Sequence, residues 1–242
     1  MTQKVALVTG ASRGIGAAVA RQLGALGWAV AVNYRADADA ANATVAAVEA
    51  AGGAAIAVQG DTAKADDVTA MFAAVDKAWG RLDGLVNNAG VVGPRGPFAD
   101  LGLADMERVL DVNVIGYMLC AQMALPRLRK TGGSIVNVSS GSAQSGGAGE
   151  TVLYAASKGA VNSLSIGLGQ EYARLGVRVN TVSPGLTRTD MPPPEKLASQ
   201  GPGIPMGRVG EADEVAAGVV WLLSDAASFT SGANLRISGG RP

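Results

Sequence analysis

The residues Val5-Ala6-Leu7-Val8 run directly into Thr9-Gly10-Ala11-Ser12-Arg13-Gly14-Ile15-Gly16. This reads as a short strand, a glycine turn and a helix start. Such a turn aims backbone N–H groups and a helix N-terminus at an anion. Gly10 allows a tight turn, Gly14 removes a Cβ where a pyrophosphate would approach, and Gly16 lets the helix sit close to the strand. The spacing is G-x-x-x-G-x-G. It differs from the common dinucleotide fingerprint G-x-G-x-x-G and from the phosphate loop that ends in G-K-[ST].

The alternation of strands and helices along the chain gives this turn its meaning. Strands are expected at 4–8, 29–33, 55–59, 82–86, 134–139, 178–182 and 233–237, and helices at 14–26, 38–50, 65–79, 105–130, 153–172 and 212–223. The first four strands are almost continuously apolar, as when both faces of a sheet are covered. A helix between each pair fits parallel βαβ units. Pro126 is expected to kink the long fourth helix or to mark an irregular end. The chain therefore reads as an α/β single-domain Rossmann fold over residues 1–242, with a seven-stranded parallel sheet and helices on both faces. A proline- and glycine-rich stretch at 186–210 reads as a lid over a substrate site.

Composition removes several functions. With 20 basic and 20 acidic residues the formal charge is zero, so nucleic acid is a poor partner. The chain has no histidine and one cysteine, Cys120, in an apolar helical stretch. Serine–histidine hydrolysis is excluded and no metal site is expected. Cys120 reads as a core thiol. No signal peptide is evident and no apolar run reads as long enough to cross a bilayer, so a cytoplasmic protein with no membrane partner is expected.

Tyr154 and Lys158 lie four apart in a helical stretch and share one face. A lysine ammonium beside a phenol favours the phenolate and lowers its pKa, so the pair could exchange a proton near neutral pH. Ser139-Ser140 ends the preceding strand, at the edge where ligands of open α/β sheets bind.

With these residues in hand, the chain resembles the classical short-chain dehydrogenase/reductase family over nearly its full length. Thr9 to Gly16 matches T-G-x-x-x-G-x-G, Asn87-Asn88-Ala89-Gly90 matches N-N-A-G, Tyr154-Ala155-Ala156-Ser157-Lys158 matches Y-x-x-x-K, and Pro184-Gly185 matches the P-G pair. The subgroup resembled holds bacterial carbonyl reductases, 3-oxoacyl carrier-protein reductases and sugar dehydrogenases. The resemblance implies catalytic roles for Asn113, holding a proton-relay water, for Ser140, bonding the substrate oxygen, for Tyr154 as acid or base, and for Lys158, lowering the tyrosine pKa and holding the nicotinamide ribose. Ser140 precedes Tyr154 by one residue more than is common in the family, which the 141–153 loop is expected to absorb.

Cofactor choice follows from charge. The second strand ends Asn33-Tyr34-Arg35, with no carboxylate before Asp37, and Arg13 lies in the glycine turn. Two arginines near the adenosine ribose suit a 2′-phosphate. NADP(H) is expected, with NAD(H) as a second cofactor. Beside Gly10, Ser12, Gly14, Ile15 and Gly16, the resemblance implies cofactor contacts from Asp61 and Thr62, from Asn88, Ala89 and Gly90, and from Pro184, Gly185 and Thr187. Asp61 also fits a plain helix N-cap.

The expected reaction is reversible NADP(H)-dependent reduction of a ketone, aldehyde or sugar-like carbonyl to an alcohol. Two alternatives are a 3-oxoacyl carrier-protein reductase and a non-catalytic NADP-binding regulatory protein. Arg127, Arg129 and Lys130 provide only a modest basic patch for a carrier, and Glu150 reads as a solvent-facing carboxylate. The partner expected is a small-molecule substrate, and the family resemblance implies a homotetramer.

Overall fold

Alternation within each strand divides the core. The computed structural model describes residues 3–241. In it, β1 (Val5–Val8) leads through the glycine turn to α1 (Gly14–Ala25), followed by β2 (Ala29–Tyr34), α2 (Ala38–Ala50), β3 (Ala54–Gln59), α3 (Ala65–Trp79) and β4 (Gly84–Asn87). Next come α4 (Leu103–Leu110), a π-helical turn (Asp111–Ile115), α5 (Gly116–Thr131) and β5 (Ser134–Val138). The short α6 (Ser142–Ser145) and the long α7 (Val152–Tyr172) precede β6 (Arg178–Pro184). Finally, β7 (Thr187–Arg188), α8 (Pro194–Gln200), β8 (Gly210–Glu211), α9 (Ala212–Leu223) and β9 (Asn234–Ile237) close the chain's regular structure.

Seven strands form one parallel sheet in the order β3-β2-β1-β4-β5-β6-β9. Ala6 and Val8 pack to one face with Leu23 of α1 and Val219 and Leu222 of α9. Val5 and Leu7 pack to the other with Met71 and Phe72 of α3 and Cys120 and Leu128 of α5. Burying each large apolar side chain contributes roughly 1.5–3 kcal/mol. The expected Rossmann architecture is thus observed, with helices on both faces.

The order reverses between β1 and β4, and a crevice opens above their C-terminal ends. Val8 stands level with both Val32 and Val86. The register therefore delivers the glycine turn, Asn33 and Asn88 to one height.

Three expectations are corrected. The long fourth helix is interrupted at Asp111–Ile115, while Pro126 lies inside α5 without ending it. The 186–210 stretch carries regular structure that its proline and glycine content did not announce: β7 pairs with β8 to clamp its base, and α8 lies within it. The continuous helical stretch Leu103–Thr131 is, by length and composition, long and apolar enough to cross a membrane. More than half of its apolar window is buried in this fold, against the sheet and α3, which accounts for its composition.

Candidate active site

A cleft of about 620 Å³ opens over the β1–β4 crevice. Its floor is the glycine turn. Gly10 and Gly14 have φ of 60° and 57°, conformations that a side chain strains. A Cβ on Gly16 would fall 2.6 Å from the Asn88 amide nitrogen and from the Gly10 carbonyl. Gly16 therefore makes room for the Asn88 loop and the turn itself, rather than for the strand. A Cβ on Gly14 would lie 3.4 Å from the Thr189 methyl, on the lid side. Arg13, the N-cap of α1, makes no side-chain cap bond, so the helix N-terminus faces the cleft uncapped. Size, glycine floor and open helix end together fit a dinucleotide.

Of the residues expected at the cofactor, Gly10, Ser12, Arg13, Gly14, Ile15, Asn33, Tyr34, Arg35, Asp61, Thr62, Asn88, Ala89 and Gly90 all line this cleft. Their side chains are not equally available. Asn33 is buried and engaged inside: its Oδ1 accepts from Gly10 N at 3.0 Å, and its Nδ2 donates to Val58 O and Gly60 O at 3.2 and 3.0 Å. Asp61 Oδ1 accepts from Ala63 N at 3.1 Å, and Oδ2 pairs with Arg108 at 3.1 Å. Asn33 is a brace, and Asp61 closes a turn onto Ala63 N ahead of α3 rather than serving as the helix N-cap its sequence also allowed, a position taken by Lys64. Asn88 Nδ2 donates to the carbonyls of Thr9 and Gly10, locking the β4 loop to the glycine turn.

Gly16, Pro184, Gly185 and Thr187 lie behind the cleft wall. Thr187 is buried, and its hydroxyl donates to Gly185 O at 3.1 Å. A Cβ on Gly185 would meet Ser238 Cα at 2.8 Å. This Pro-Gly pair therefore permits a close crossing of β6 past the chain after β9.

The four residues expected to act in catalysis gather at the C-terminal end of β5. Ser140 follows the strand, and its hydroxyl lies near enough to the Tyr154 phenol to draw the phenol's pKa down. Ser140 Oγ accepts from Ser142 N at 3.1 Å, and Ser140, not Ser142, is the serine that acts on the phenol. The extra residue before Tyr154 is absorbed by the α6 turn and by Gly146, Gly147 and Gly149, all at positive φ. Asn113 sits in the π turn with no exposure. Its side chain brackets Val91, accepting from Val91 N at 2.9 Å and donating to Val91 O at 2.8 Å, and it donates to Ser157 Oγ at 3.0 Å. It holds the loop after β4 directly.

The electrostatics differ from the sequence expectation. Lys158 does not act on the Tyr154 hydroxyl here. Its Nζ donates to Val138 O at 2.8 Å and to Tyr117 Oη at 3.1 Å. Burial pulls Lys158 down to about 7. Burial likewise pushes the Tyr154 phenol above its ordinary value, while the Ser140 hydroxyl and the Arg95 charge draw it back. Desolvation of both groups, invisible in a spacing argument, outweighs their attraction.

Arg95 and Lys196 carry no sequence signal, and Glu150 is paired where a solvent-facing carboxylate was expected. Glu150 accepts a short hydrogen bond from Arg95 and pairs with Lys196 of α8 at 2.7 Å. The Lys196 hydrogen bond, with Arg95 behind it, holds the Glu150 carboxyl below the usual carboxylate range. Glu150 is thus a tie between the β4 loop, the loop before α7 and the lid, rather than a free carboxylate. Arg13 reaches the lid as well, 3.6 Å from Asp190. These partners are far apart in sequence, and no local pattern marks them. Cys120 is buried as expected, and desolvation pushes its thiol up to about 12.

A family model described as "Enoyl-(Acyl carrier protein) reductase" matches residues 10–241. The "Uncharacterized oxidoreductase YgfF" of Escherichia coli K12 is 43% identical over 245 residues, covering 98% of this chain and 99% of that protein. The "3beta-hydroxysteroid dehydrogenase 1" of Eggerthella lenta is 40% identical, covering 98% and 93%. Among solved structures, a short chain dehydrogenase from Burkholderia cenocepacia J2315 in complex with NADP superposes with a TM-score of 0.93 at 40% identity, covering 99% of this chain and 98% of that one.

Proposed function

This chain belongs to the classical short-chain dehydrogenase/reductase family, as an NADP(H)-dependent oxidoreductase of carbonyl and alcohol groups, and on that premise we propose that it reduces a small ketone, aldehyde or sugar-like carbonyl. NADP(H) is the preferred cofactor and NAD(H) the second. One catalytic domain spans 1–242, with 186–210 as its lid. The observation that carries the reading is the convergence of Ser140, Tyr154 and Lys158 at the C-terminal end of β5, with the Ser140 hydroxyl drawing down the buried Tyr154 phenol.

When bound, the reduced nicotinamide supplies the hydride. Charge then grows on the carbonyl oxygen. Ser140 Oγ donates a hydrogen bond to that oxygen, and Tyr154 Oη gives it a proton. Burial favours the protonated phenol, which suits donation in the reductive direction. Lys158 holds the nicotinamide ribose through the one ammonium proton that Val138 and Tyr117 leave free. The Asn113 side chain is engaged with Val91 and Ser157, so its role here is to fix the loop after β4 beside the π turn. The glycine turn and the α1 N-terminus would hold the pyrophosphate of the bound cofactor, and Arg13 and Arg35, which line the same cleft, would hold its 2′-phosphate.

A small-molecule substrate is preferred over a carrier-bound thioester. Arg127 pairs with Asp76 at 2.6 Å, which reduces an already modest basic patch. The protein acts as a cytoplasmic homotetramer in this reading. Two separate apolar faces fit two dyads: Ile115, Met118 and Ile166 on α5–α7, and Trp221 and Phe229 at the α9 end, all exposed. A panel of carbonyls and alcohols, followed by nicotinamide absorbance in both directions, tests the proposal. Reduction of free carbonyls with NADPH is expected. Activity confined to a carrier-bound 3-oxoacyl thioester would overturn the substrate class, and cofactor binding without any turnover would overturn the catalytic reading.

A further inference from the structure

We propose that Tyr117 is a positioning residue for Lys158, fixing where the amine sits and which proton it keeps for the cofactor. The proposal rests on the ribose-binding role of Lys158. Tyr117 stands four residues after Asn113 in the apolar run Gly116-Tyr117-Met118-Leu119. A tyrosine buried in such a run needs a partner for its hydroxyl. Tyr117 is 1% exposed, and it finds two.

The hydroxyl donates to Val138 O at 3.0 Å. Having one proton, it can only accept from the lysine, and Lys158 Nζ donates to it at 3.1 Å. Nζ also donates to Val138 O at 2.8 Å. Tyr117 Oη, Lys158 Nζ and the Val138 carbonyl thus close a three-membered ring of hydrogen bonds. The ammonium lies 4.8 Å from the Tyr117 ring centroid and 5.8 Å from that of Tyr154. Two of its three protons are engaged. The third is left at the cleft wall, where a Cβ on Gly90 would sit 3.6 Å from Nζ.

The groups facing Lys158 are few. They are Tyr117 from α5, Tyr154 from its own helix, Val138 O from β5 and, around Gly90, the Asn113 Oδ1 of the π turn. Among the described residues no carboxylate pairs with it. Neutral oxygens and a ring face must therefore sustain its charge. Burial pulls the amine down to about 7, and the Tyr117 oxygen opposes that pull. Tyr117 itself stays a phenol, because burial raises it well above its ordinary value.

The test is Tyr117→Phe, which removes one oxygen and keeps the ring. If Lys158 must be charged to act, reductase activity falls as pH rises through its pKa. In Tyr117→Phe that falling limb should move down by about one pH unit. KM for NADPH should rise several-fold, and KM for the carbonyl should hold. An unmoved limb overturns the proposal. A second readout needs no turnover. NMR of ε-13C-lysine-labelled, cofactor-free protein, with the Lys158 signal identified by its loss in Lys158→Met, should give a midpoint near 7, lower in Tyr117→Phe. A midpoint at the ordinary lysine value in the unsubstituted protein, or equal midpoints in the two proteins, overturns it. Should Tyr117→Phe fail to fold, Tyr117→Met replaces it, with the same expected and overturning results. Because the NMR arm is independent of catalysis, a protein that reduces no carbonyl yet gives the expected titration refutes the function and leaves the Tyr117 contact standing.

Discussion

Arg13 of the glycine turn pairs with Asp37, the N-cap of α2, at 3.2 Å across the adenosine end of the cleft. Asp37 uses its other oxygen to accept from Ala40 N at 3.0 Å, so it is fixed in place. Both partners are about half exposed, and the pair contributes little to stability. Its consequence is for binding. A 2′-phosphate must compete with Asp37, and with Asp190 at 3.6 Å, for Arg13. Arg35 lies exposed at the same end with no ion pair among the described residues.

Arg35 therefore carries more of the cofactor preference than Arg13. Arg35→Ala should weaken NADPH binding by roughly 10- to 100-fold, the worth of a charge-assisted hydrogen bond, and leave NADH nearly unchanged. Arg13→Ala should cost less. Fluorescence titration with both nucleotides measures this. Equal losses for the two nucleotides would remove the charge argument.

The lid is held at its base by the β7–β8 pair and at its tip by Lys196 on Glu150. An exposed ion pair is worth about 1 kcal/mol or less, so Lys196→Met should open the lid only a few-fold. Faster proteolysis within 186–210 and a few-fold rise in carbonyl KM are expected, with little change in Tm. Cleavage at the parental rate would mean that the tie does not hold the lid.

Lys158 gives a pH-dependent stability. Its pKa is about 7 when folded, against about 10.4 unfolded. Between those values the unfolded chain binds the extra proton, so native stability rises with pH through this window. Below 7 the full cost of burying the charge is present. Lys158→Met removes that cost. Its Tm relative to the parent should be most favourable at pH 6 and less so at pH 9, by roughly 2–3 kcal/mol or several degrees. Melting curves at fixed protein concentration check this, and a pH-independent difference would contradict it.

The sheet was legible because its first strands are short apolar runs and the crossovers between them are helices with punctuation at their ends. The π turn at Asp111–Ile115 was not, since a one-residue shift in hydrogen bonding leaves hydropathy unchanged. The lid helix α8 was hidden by its own start: Pro193-Pro194 reads as loop, although proline suits a first helical position. At the site, the four-residue spacing of Tyr154 and Lys158 was readable, while the amine's preference for Val138 and Tyr117 was not. Asn33 and Asp61 lie on the cleft as expected, yet their side chains serve Gly10, Gly60, Ala63 and Arg108. Spacing locates a residue, and only packing decides what it faces.

The central claim is that the Tyr154 phenol gives the proton to the carbonyl oxygen. Single-turnover oxidation of bound NADPH by Tyr154→Phe, alongside its NADPH Kd, tests this most directly. Hydride transfer should fall by roughly 10²- to 10⁴-fold, while Kd stays within about twofold of the parent. Parental transfer rates in a fully loaded Tyr154→Phe protein would contradict it.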